Sequence, residues 1–186
     1  LHSQQCIAAA VAGKHIFVEK PLGLTGDECL EILRAVEQSQ VLCAIGFNRR
    51  FSSLSMSLRD SLSNVMSPKQ IIYRVNAGGL PQGHWLLDPE IGGGRLIGEG
   101  CHFFDFMSWL LDSDAVSVIA QSAGDSSDDI SVVVKYNNGS IGTLIYTALG
   151  SAEFSKERIE VFAGGGVGVI DDFRSLSLYR LPGKSR

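Results

Sequence analysis

The feature that most constrains this chain is a series of short β-strand patterns in its C-terminal part, separated by short turns. Asn137-Asn138-Gly139 stands between two of them and is a strong hairpin signal. Upstream, residues 51–64 and about 99–111 have the apolar spacing of helices. Strands joined by short turns form antiparallel sheets, so we predict an α+β domain with a large, mainly antiparallel open sheet that the helices cover on one face. The predicted strands are 71–75, 115–121, 129–136, 140–147, 157–163, 167–171 and 176–180.

The first 46 residues have a different pattern, in which helices and strands alternate. Gly13 is placed to end a first helix, and Thr25 with Glu28 three residues later has the spacing of a capping box that starts a second. This order predicts the closing half of a doubly wound α/β domain with a parallel sheet, and a domain boundary between residues 46 and 47. The predicted elements are helix 2–12, strand 15–18, helix 25–39 and strand 41–46.

Composition and charge exclude several classes of protein. Hydrophobic residues make up 45% of the chain and charged residues 19%, which is too apolar for intrinsic disorder. The net charge is −4 and no block of like charge occurs, so we predict no nucleic-acid partner. No apolar stretch has the length of a membrane span, and no signal peptide is visible. Four cysteines without a CxxC pair favour buried free thiols in a reducing compartment, and we therefore predict a cytoplasmic protein. They are Cys6, Cys29, Cys43 and Cys101.

Glu19-Lys20-Pro21 follows the first predicted strand directly. Ligands bind at the carboxyl edge of open α/β sheets, and a lysine there can donate a proton or a charged hydrogen bond to a substrate oxygen. A lysine after a strand is also commonly a solvated surface charge. The tripeptide alone leaves both interpretations open.

Glu99, His102 and Asp105 form a second candidate group around the start of the predicted helix at 99–111, with Glu99 and Asp105 as candidate substrate contacts. His102 and Asp105 are three residues apart and so share a helix face, while Glu99 would lie near the positive helix N-terminus. Such a histidine could exchange protons near neutral pH, or it could be a buried histidine bonded to the main chain. A closed metal site would need further ligands that the sequence does not offer nearby, so we predict no metal.

Two further stretches offer side chains that could bind a substrate. Asn48, Arg49 and Arg50 follow the second strand of the α/β part directly, where they would either face a cleft or form a charged hinge between domains. Trp85, in a predicted Gly/Pro-rich loop at 76–94, could stack on a sugar ring or could anchor the loop.

Taken together, these motifs resemble the Gfo/Idh/MocA family of NAD(P)-dependent oxidoreductases. The stretches AGKHIFVEKPLGLT, IGFNRRF and GGGRLIGEGCHFFD come in the order and spacing of that family and extend over most of the chain. The resemblance implies that residues 1–46 are the C-terminal remnant of a dinucleotide-binding Rossmann domain. It implies that residues 47–186 form a substrate-binding and oligomerisation domain that is truncated at its C-terminus.

The resemblance also implies roles for individual residues. Lys20 matches the catalytic lysine of the EKP motif, and with Glu19 and Pro21 it is expected to contact the cofactor. His102 matches the histidine of a D-x-x-x-H motif, which acts as acid and base beside a substrate hydroxyl. The aspartate of that motif would fall at Gly98 and is missing here, and Glu99 points about 100° further around a helix.

The implied function is hydride transfer between NAD or NADP and a hydroxyl-bearing carbon of a sugar, polyol or related small molecule. The dinucleotide fingerprint G-x-G-x-x-G does not occur at the expected place, so we expect it upstream of Leu1 and expect the isolated chain to be inactive. A second interpretation therefore stays open, in which the chain is a folded binding or self-association module. Strands at 129–147 carry apolar residues on both faces, which predicts a homo-oligomer formed through the sheet.

Overall fold

The computed structural model describes residues 2–66, 68–81, 83–88, 91–124 and 128–185. The chain divides into two compact units. The first combines Leu1–Phe47 with Gly83–His102, and the second combines Asn48–Gln82 with Phe103–Arg186. The segment 83–102 therefore groups with the α/β part, although it lies in the middle of the sequence.

The first unit contains a two-stranded parallel sheet and two helices, as the alternating pattern predicts. Ile16 pairs with Cys43 and Val18 with Ile45, and α1 and α2 pack against each other. Thr25 caps α2 by accepting a hydrogen bond from the backbone N–H of Glu28 at 3.2 Å, which confirms the predicted cap. The elements are α1 (His2–Val11), β1 (Ile16–Val18), α2 (Gly26–Ser39) and β2 (Cys43–Ile45).

The second unit contains a seven-stranded sheet in the order β4-β5-β6-β3-β7-β8-β9. Its elements are α3 (Ser53–Leu62), β3 (Gln70–Asn76), β4 (Ala115–Ser122), β5 (Ile130–Tyr136), β6 (Ile141–Thr147), β7 (Glu157–Ala163), β8 (Gly166–Asp171) and β9 (Ser175–Tyr179), with most of α4 (Cys101–Leu111). Among the strand pairs described in this seven-stranded sheet, only β3 and β6 pair in parallel, so the predicted α+β class and mainly antiparallel open sheet are confirmed. The predicted hairpin at Asn137–Gly139 joins β5 to β6, with Gly139 at φ 84°.

Helices cover one face of this sheet and form its core. Leu58 of α3 and Phe106 of α4 are fully buried, and so are Tyr73 and Ile159 on the strands that face them. Strand residues alternate between the two faces, so every second side chain of β5, β6 and β7 enters this core. This apolar cluster on one face of the sheet explains why the alternating pattern of apolar residues predicts the fold class.

The opposite face of the sheet is open and partly apolar. Val133, Ile141, Ile145 and Phe162 point outward and are each about 40% exposed. All eight residues of β4 are exposed, because this strand lies at the sheet edge beyond the helices.

Three local predictions differ from the structure. The helical segment predicted to begin at Glu99 begins earlier, with a π-helical turn at Leu96–Gly100 that leads into α4. Gly93 and Gly94 adopt positive φ just before this turn and direct the chain into the helical segment. The loop at 76–94 contains a 3₁₀ turn at Trp85–Leu87, and its residues 82, 89 and 90 lie outside the described residues.

The third difference concerns the cysteines. Of the four cysteines, Cys6 is buried, whereas Cys29, Cys43 and Cys101 are partly exposed because they lie near the protein surface. Burial raises the pKa of the Cys6 thiol and favours its neutral form.

Candidate functional site

Lys20 lies just beyond the end of β1, at the carboxyl edge of the parallel sheet. Its side chain is partly buried, and Nζ donates a hydrogen bond to the carbonyl oxygen of Gly98 at 2.7 Å. The Lys20–Pro21 peptide bond is cis. The lysine therefore contacts the π-helical turn that precedes α4, which lies 78 residues further along the chain.

The loop that carries Lys20 is also held from α1. The ring of His2 lies with Nδ1 2.8 Å from the carbonyl oxygen of Pro21. A carbonyl can only accept, so Nδ1 carries the proton in this contact. Sequence reasoning missed His2, since a polar residue at the start of a helix gives no signal of a partner in a distant loop.

Lys20 and His2 line a cavity of about 490 Å³ within the first unit. Apolar side chains make up much of its wall and a few polar groups converge on it, which is the usual composition of a small-molecule site. The lining residues are His2, Ser3, Lys20, Pro21, Gly23, Leu24, Glu28, Trp85, Ile91, Gly92 and Gly98. Trp85, a candidate substrate contact from the sequence, is 59% exposed and lines this cavity.

Glu28 has two functions in the wall of the cavity. Its Oε2 accepts a hydrogen bond from the backbone N–H of Leu24 at 2.6 Å, which fixes the loop before α2. Thr25 and Glu28 therefore cap the helix from both sides. In a capping box Glu28 would accept the N–H of Thr25, whereas here it accepts the N–H of Leu24, one residue earlier. The sequence identified Glu28 as a capping residue and gave no sign that it faces a cavity.

His102, the second predicted catalytic residue, lies in the first turn of α4 and is buried. Its ring stands edge-on to that of Phe47, with 6.0 Å between the ring centroids. His102 follows Gly98 by four residues. The Gly98 carbonyl that binds Lys20 therefore belongs to the helical turn before His102. Of the described residues, those that line the cavity include Gly98 and include neither His102 nor Glu99.

Glu99 and Glu19 lie outside the cavity wall. Glu99 is partly exposed within the π-helical turn. Glu19 is exposed, and its carboxylate lies over Gly46, where a Cβ atom would be 3.1 Å from Oε1. Gly46 thus leaves room for the Glu19 side chain at the end of β2.

In the second unit, Asn48 and Arg49 line a smaller pocket of about 290 Å³ together with Glu157 and Phe173. Arg49 makes a two-pronged ion pair with Glu157, in which Nε donates to Oε2 at 2.9 Å and Nη2 donates to Oε1. The hydroxyl of Tyr73 donates to the same carboxylate. The guanidinium also lies over the ring of Phe103, 5.0 Å from its centroid.

This cluster shifts the proton affinities of its members. Burial opposes the charge of Arg49, but the hydrogen bonds and charge of Glu157 outweigh it and raise the pKa of Arg49. Burial, followed by the adjacent Glu157 charge, raises the pKa of the Tyr73 phenol well above its ordinary value. Arg49 is therefore a permanently charged side chain whose charge Glu157 neutralises.

Asp105, predicted as a substrate contact, forms a two-pronged ion pair with Arg50, with Arg50 Nε 2.6 Å from Oδ2. The side chain of Asp105 is only 9% exposed. Its two oxygens thus serve to hold Arg50 to α4.

Within the part of the chain that the structure describes, no group of three or more potential metal ligands lies close enough together to hold an ion. Over the same residues, no helix has the length and apolar character needed to cross a membrane.

Comparison with protein families gives two matches. Residues 1–47 match the model described as "Oxidoreductase family, NAD-binding Rossmann fold". Residues 68–167 match the model described as "GFO/IDH/MocA C-terminal domain".

Individual relatives agree with these matches. The chain is 27% identical over 187 residues to myo-inositol 2-dehydrogenase of Thermotoga maritima, covering 95% of this chain and 55% of that protein. It is 32% identical over 126 residues to 1,5-anhydro-D-fructose reductase of Ensifer adhaerens, covering 66% and 38%. The chain thus spans about half the length of the first of these relatives, and less of the second.

Among solved structures, the chain is similar to the WlbA dehydrogenase from Bordetella pertussis, which was crystallised with NADH and UDP-GlcNAcA. The TM-score is 0.85 at 18% identity, over 99% of this chain and 57% of that one. This likeness agrees with the predicted fold, a Rossmann remnant followed by an α+β domain with a large, mainly antiparallel open sheet.

Proposed function

Because the chain belongs to the Gfo/Idh/MocA family of oxidoreductases, we propose that the protein containing it transfers a hydride between NAD or NADP and a hydroxyl-bearing carbon of a sugar, polyol or related small molecule. The observation that carries this proposal is the position of Lys20. Its ammonium stands at the carboxyl edge of the parallel sheet, in the wall of a cavity. An ammonium has three N–H donors, and among the described residues the contact with Gly98 occupies one, which leaves two for a substrate oxygen.

The substrate class follows from the relatives and from the cavity. The two curated relatives act, by their names, on an inositol and on an anhydro-sugar, both of which carry several hydroxyl groups. A cavity with a lysine, a histidine and a tryptophan suits such a molecule, since polar donors bind hydroxyls and an indole face packs against the C–H side of a ring.

The cavity also suits the reactive end of the cofactor. Pro21, Leu24 and Ile91 provide apolar walls of the kind that a flat aromatic ring needs, and Lys20 lies beside them. We propose that Lys20 and Pro21 hold the nicotinamide end, with Glu19 at the adjoining strand end. When bound, the nicotinamide accepts the hydride from the substrate carbon or returns it.

Lys20 and His102 divide the proton chemistry in this proposal. Lys20 donates a hydrogen bond to the substrate oxygen and stabilises the negative charge that develops there as the hydroxyl proton leaves. His102, one helical turn beyond Gly98, receives that proton and returns it in the reverse direction. The burial of His102 against Phe47 limits its exchange with bulk water.

The second unit has a pocket of its own whose residues are candidates for substrate binding. We propose that Asn48 and Arg49 contribute to substrate binding, since both line a pocket and Arg49 is fixed there by Glu157. Asp105 contributes to substrate binding indirectly in this proposal, because its carboxylate holds Arg50 in place.

Deuterium transfer in the full-length protein tests the proposed hydride step. A panel of polyols and sugars would be supplied with NAD⁺ and, separately, with NADP⁺, each substrate carrying deuterium on the carbinol carbon. We expect deuterium in the reduced cofactor for at least one substrate, measured by mass spectrometry. Failure of every substrate to reduce either cofactor would favour the second interpretation, in which the chain is a folded binding or self-association module.

Self-association through the open face of the sheet is a further part of the proposal. Val133, Ile141, Ile145 and Phe162 present apolar surface there, next to the exposed edge strand β4. Burying this surface against a second copy of the sheet would remove it from water.

A further inference from the structure

The wall of the cavity in the first unit carries two hydrogen-bond acceptors besides the donor Lys20. We propose that Nε2 of His2 and Oε1 of Glu28 form a hydroxyl-binding pair, which accepts hydrogen bonds from a bound polyol or from the ribose of a bound nicotinamide cofactor. The identity of the ligand rests on the proposed function, whereas the place of the two acceptors rests on the structure alone.

The first observation is that the ring of His2 uses only one of its nitrogens within the protein. Nδ1 donates to the carbonyl oxygen of Pro21 at 2.8 Å, so a neutral ring carries its proton there and leaves Nε2 as an acceptor. Among the described residues, Nε2 has no hydrogen-bond partner. His2 is partly exposed and lines the cavity. The bond to Pro21 therefore fixes the chemical character of the nitrogen that remains for a ligand.

The second observation is that Glu28 divides its carboxylate in the same way. Oε2 accepts the backbone N–H of Leu24 at 2.6 Å, and the side chain lies over Gly23, where a Cβ atom would be 2.9 Å from Cβ of Glu28. Within the part of the chain that the structure describes, Oε1 accepts no hydrogen bond. Glu28 is also partly exposed and lines the cavity, so one oxygen holds the loop and the other is available to a ligand.

The third observation is that the two residues hold opposite ends of one loop. His2 of α1 binds Pro21 and Glu28 of α2 binds Leu24, so the loop that directly follows Lys20 is fixed at both ends. Side chains that are already fixed lose less conformational entropy when a ligand binds. The two acceptors are therefore preorganised in the cavity wall.

The chemistry of the cavity wall selects hydroxyl groups. A hydroxyl can accept a hydrogen bond from the Lys20 ammonium and donate one to His2 or Glu28, whereas the oxygens of an ionised phosphate or carboxylate only accept. The negative charge of Glu28 also repels an anionic group that approaches it. A polyol and the nicotinamide ribose both supply hydroxyl groups, and experiment can distinguish the two sources.

Nitrogen NMR of the full-length protein tests the role of His2 without turnover. In protein labelled with ¹⁵N-histidine, at about pH 8 where an ordinary imidazole is neutral, His2 should carry its proton on Nδ1. The His2→Asn variant assigns the His2 signals by their loss. His15 is the internal reference, because its Nδ1 accepts the backbone N–H of Leu42 at 3.0 Å, which requires the opposite tautomer.

Ligands are then added to the labelled protein as NADH alone, glycerol alone as a small polyol probe, and both together. We expect the Nε2 signal of His2 to move upfield with at least one addition, while Nδ1 keeps its proton and the His15 signals stay in place. A shift with NADH alone assigns the pair to the cofactor, and a shift that requires glycerol assigns it to the substrate. A proton on Nε2 in the free protein, or an Nε2 signal that no addition moves, would overturn the proposal.

Two conservative variants separate ligand binding from holding the loop. His2→Asn keeps a donor for Pro21 and removes the acceptor, and Glu28→Gln keeps an oxygen for the N–H of Leu24 and turns the second oxygen into a donor. We expect the ligand that moves the Nε2 signal to bind about fivefold more weakly to His2→Asn and more than about tenfold more weakly to Glu28→Gln, which loses a charged acceptor. The melting temperature should change little in either variant, and His15→Asn, outside the cavity wall, is the control.

Unchanged affinity in both variants would mean that the two side chains only hold the loop, and the proposal would fall. Neither readout depends on turnover. If the deuterium-transfer assay fails while the Nε2 signal responds to a ligand, the proposed function is wrong and the hydroxyl-binding pair stands. If deuterium is transferred while Nε2 stays unmoved, the pair is wrong and the proposed function stands.

Discussion

Replacement of Glu157 by glutamine removes one charge from a nearly closed ionic cluster in the second unit. Glu157 has a side chain that is 10% exposed and its partner Arg49 one that is 18% exposed, so solvent can do little to replace the lost charge. The carboxylate accepts two bonds from Arg49 and one from Tyr73. Glutamine keeps the size and one acceptor oxygen, but it leaves the guanidinium without a neutralising charge.

The expected cost follows from this burial. Breaking a buried ion pair by removing one partner costs about 3–5 kcal/mol, and the acceptor that glutamine keeps puts this variant near the lower end. For a chain of this length, each kcal/mol lowers the melting temperature by about 2–4 °C. We therefore expect Glu157→Gln to lower it by roughly 6–12 °C.

The measurement should report on the second unit alone. Trp109 lies in that unit and Trp85 in the other, so a Trp85→Phe background leaves Trp109 as the fluorescent reporter of unfolding. Glu160→Gln is the matched control, since its pair with Arg158 is 28% and 40% exposed and should contribute less than about 1 kcal/mol. If Glu157→Gln shifts the transition no further than Glu160→Gln does, the cluster does not stabilise this unit.

Three further predictions concern other parts of the chain. The pKa of Tyr73 is raised in the folded state. Its contribution to stability is therefore present below about pH 10, the pKa of an unfolded tyrosine, and is lost as the pH rises through the pKa of the folded state. Tyr73→Phe should flatten the fall in melting temperature above about pH 10. Trp85→Ala in the full-length protein should raise KM about tenfold with little change in kcat, while Trp85→Phe, which keeps an aromatic face, should stay close to wild type. An unchanged KM in the alanine variant would remove Trp85 from the proposed substrate site. Lysine at both Val133 and Ile145 should lower the mass measured by light scattering to that of a monomer, and a wild-type protein that is already monomeric would contradict association through the sheet.

Much of the fold could be predicted because local patterns agree with the tertiary structure. Alternating residues in β5 and β6 bury one face, and the Asn137–Gly139 turn fixes their register. The π-helical turn at Leu96–Gly100 could not be predicted. It follows the positive φ of Gly93 and Gly94, and sequence periodicity does not report such backbone conformations.

The site shows the same division. The place of Lys20 at a strand end is visible in the sequence, because a short apolar run followed by proline marks that edge. Its partner Gly98 is 78 residues away and bonds through its main chain, which no residue type reveals. Glu157, 108 residues from Arg49, was likewise missed, since an acid at the start of a strand usually faces water.

The central claim is that Lys20 and His102 carry the proton chemistry of a dehydrogenase, and variant kinetics in the full-length protein test it most directly. Lys20→Met keeps the length of the side chain and removes its charge, His102→Asn keeps a polar group, and Lys14→Met is the control for loss of an exposed lysine. We predict that kcat/KM falls about 10²–10⁴-fold for the first two and stays near wild type for the control, and that the loss in turnover exceeds any loss in NADH affinity. Near-normal turnover in both the Lys20 and the His102 variants would contradict the mechanism.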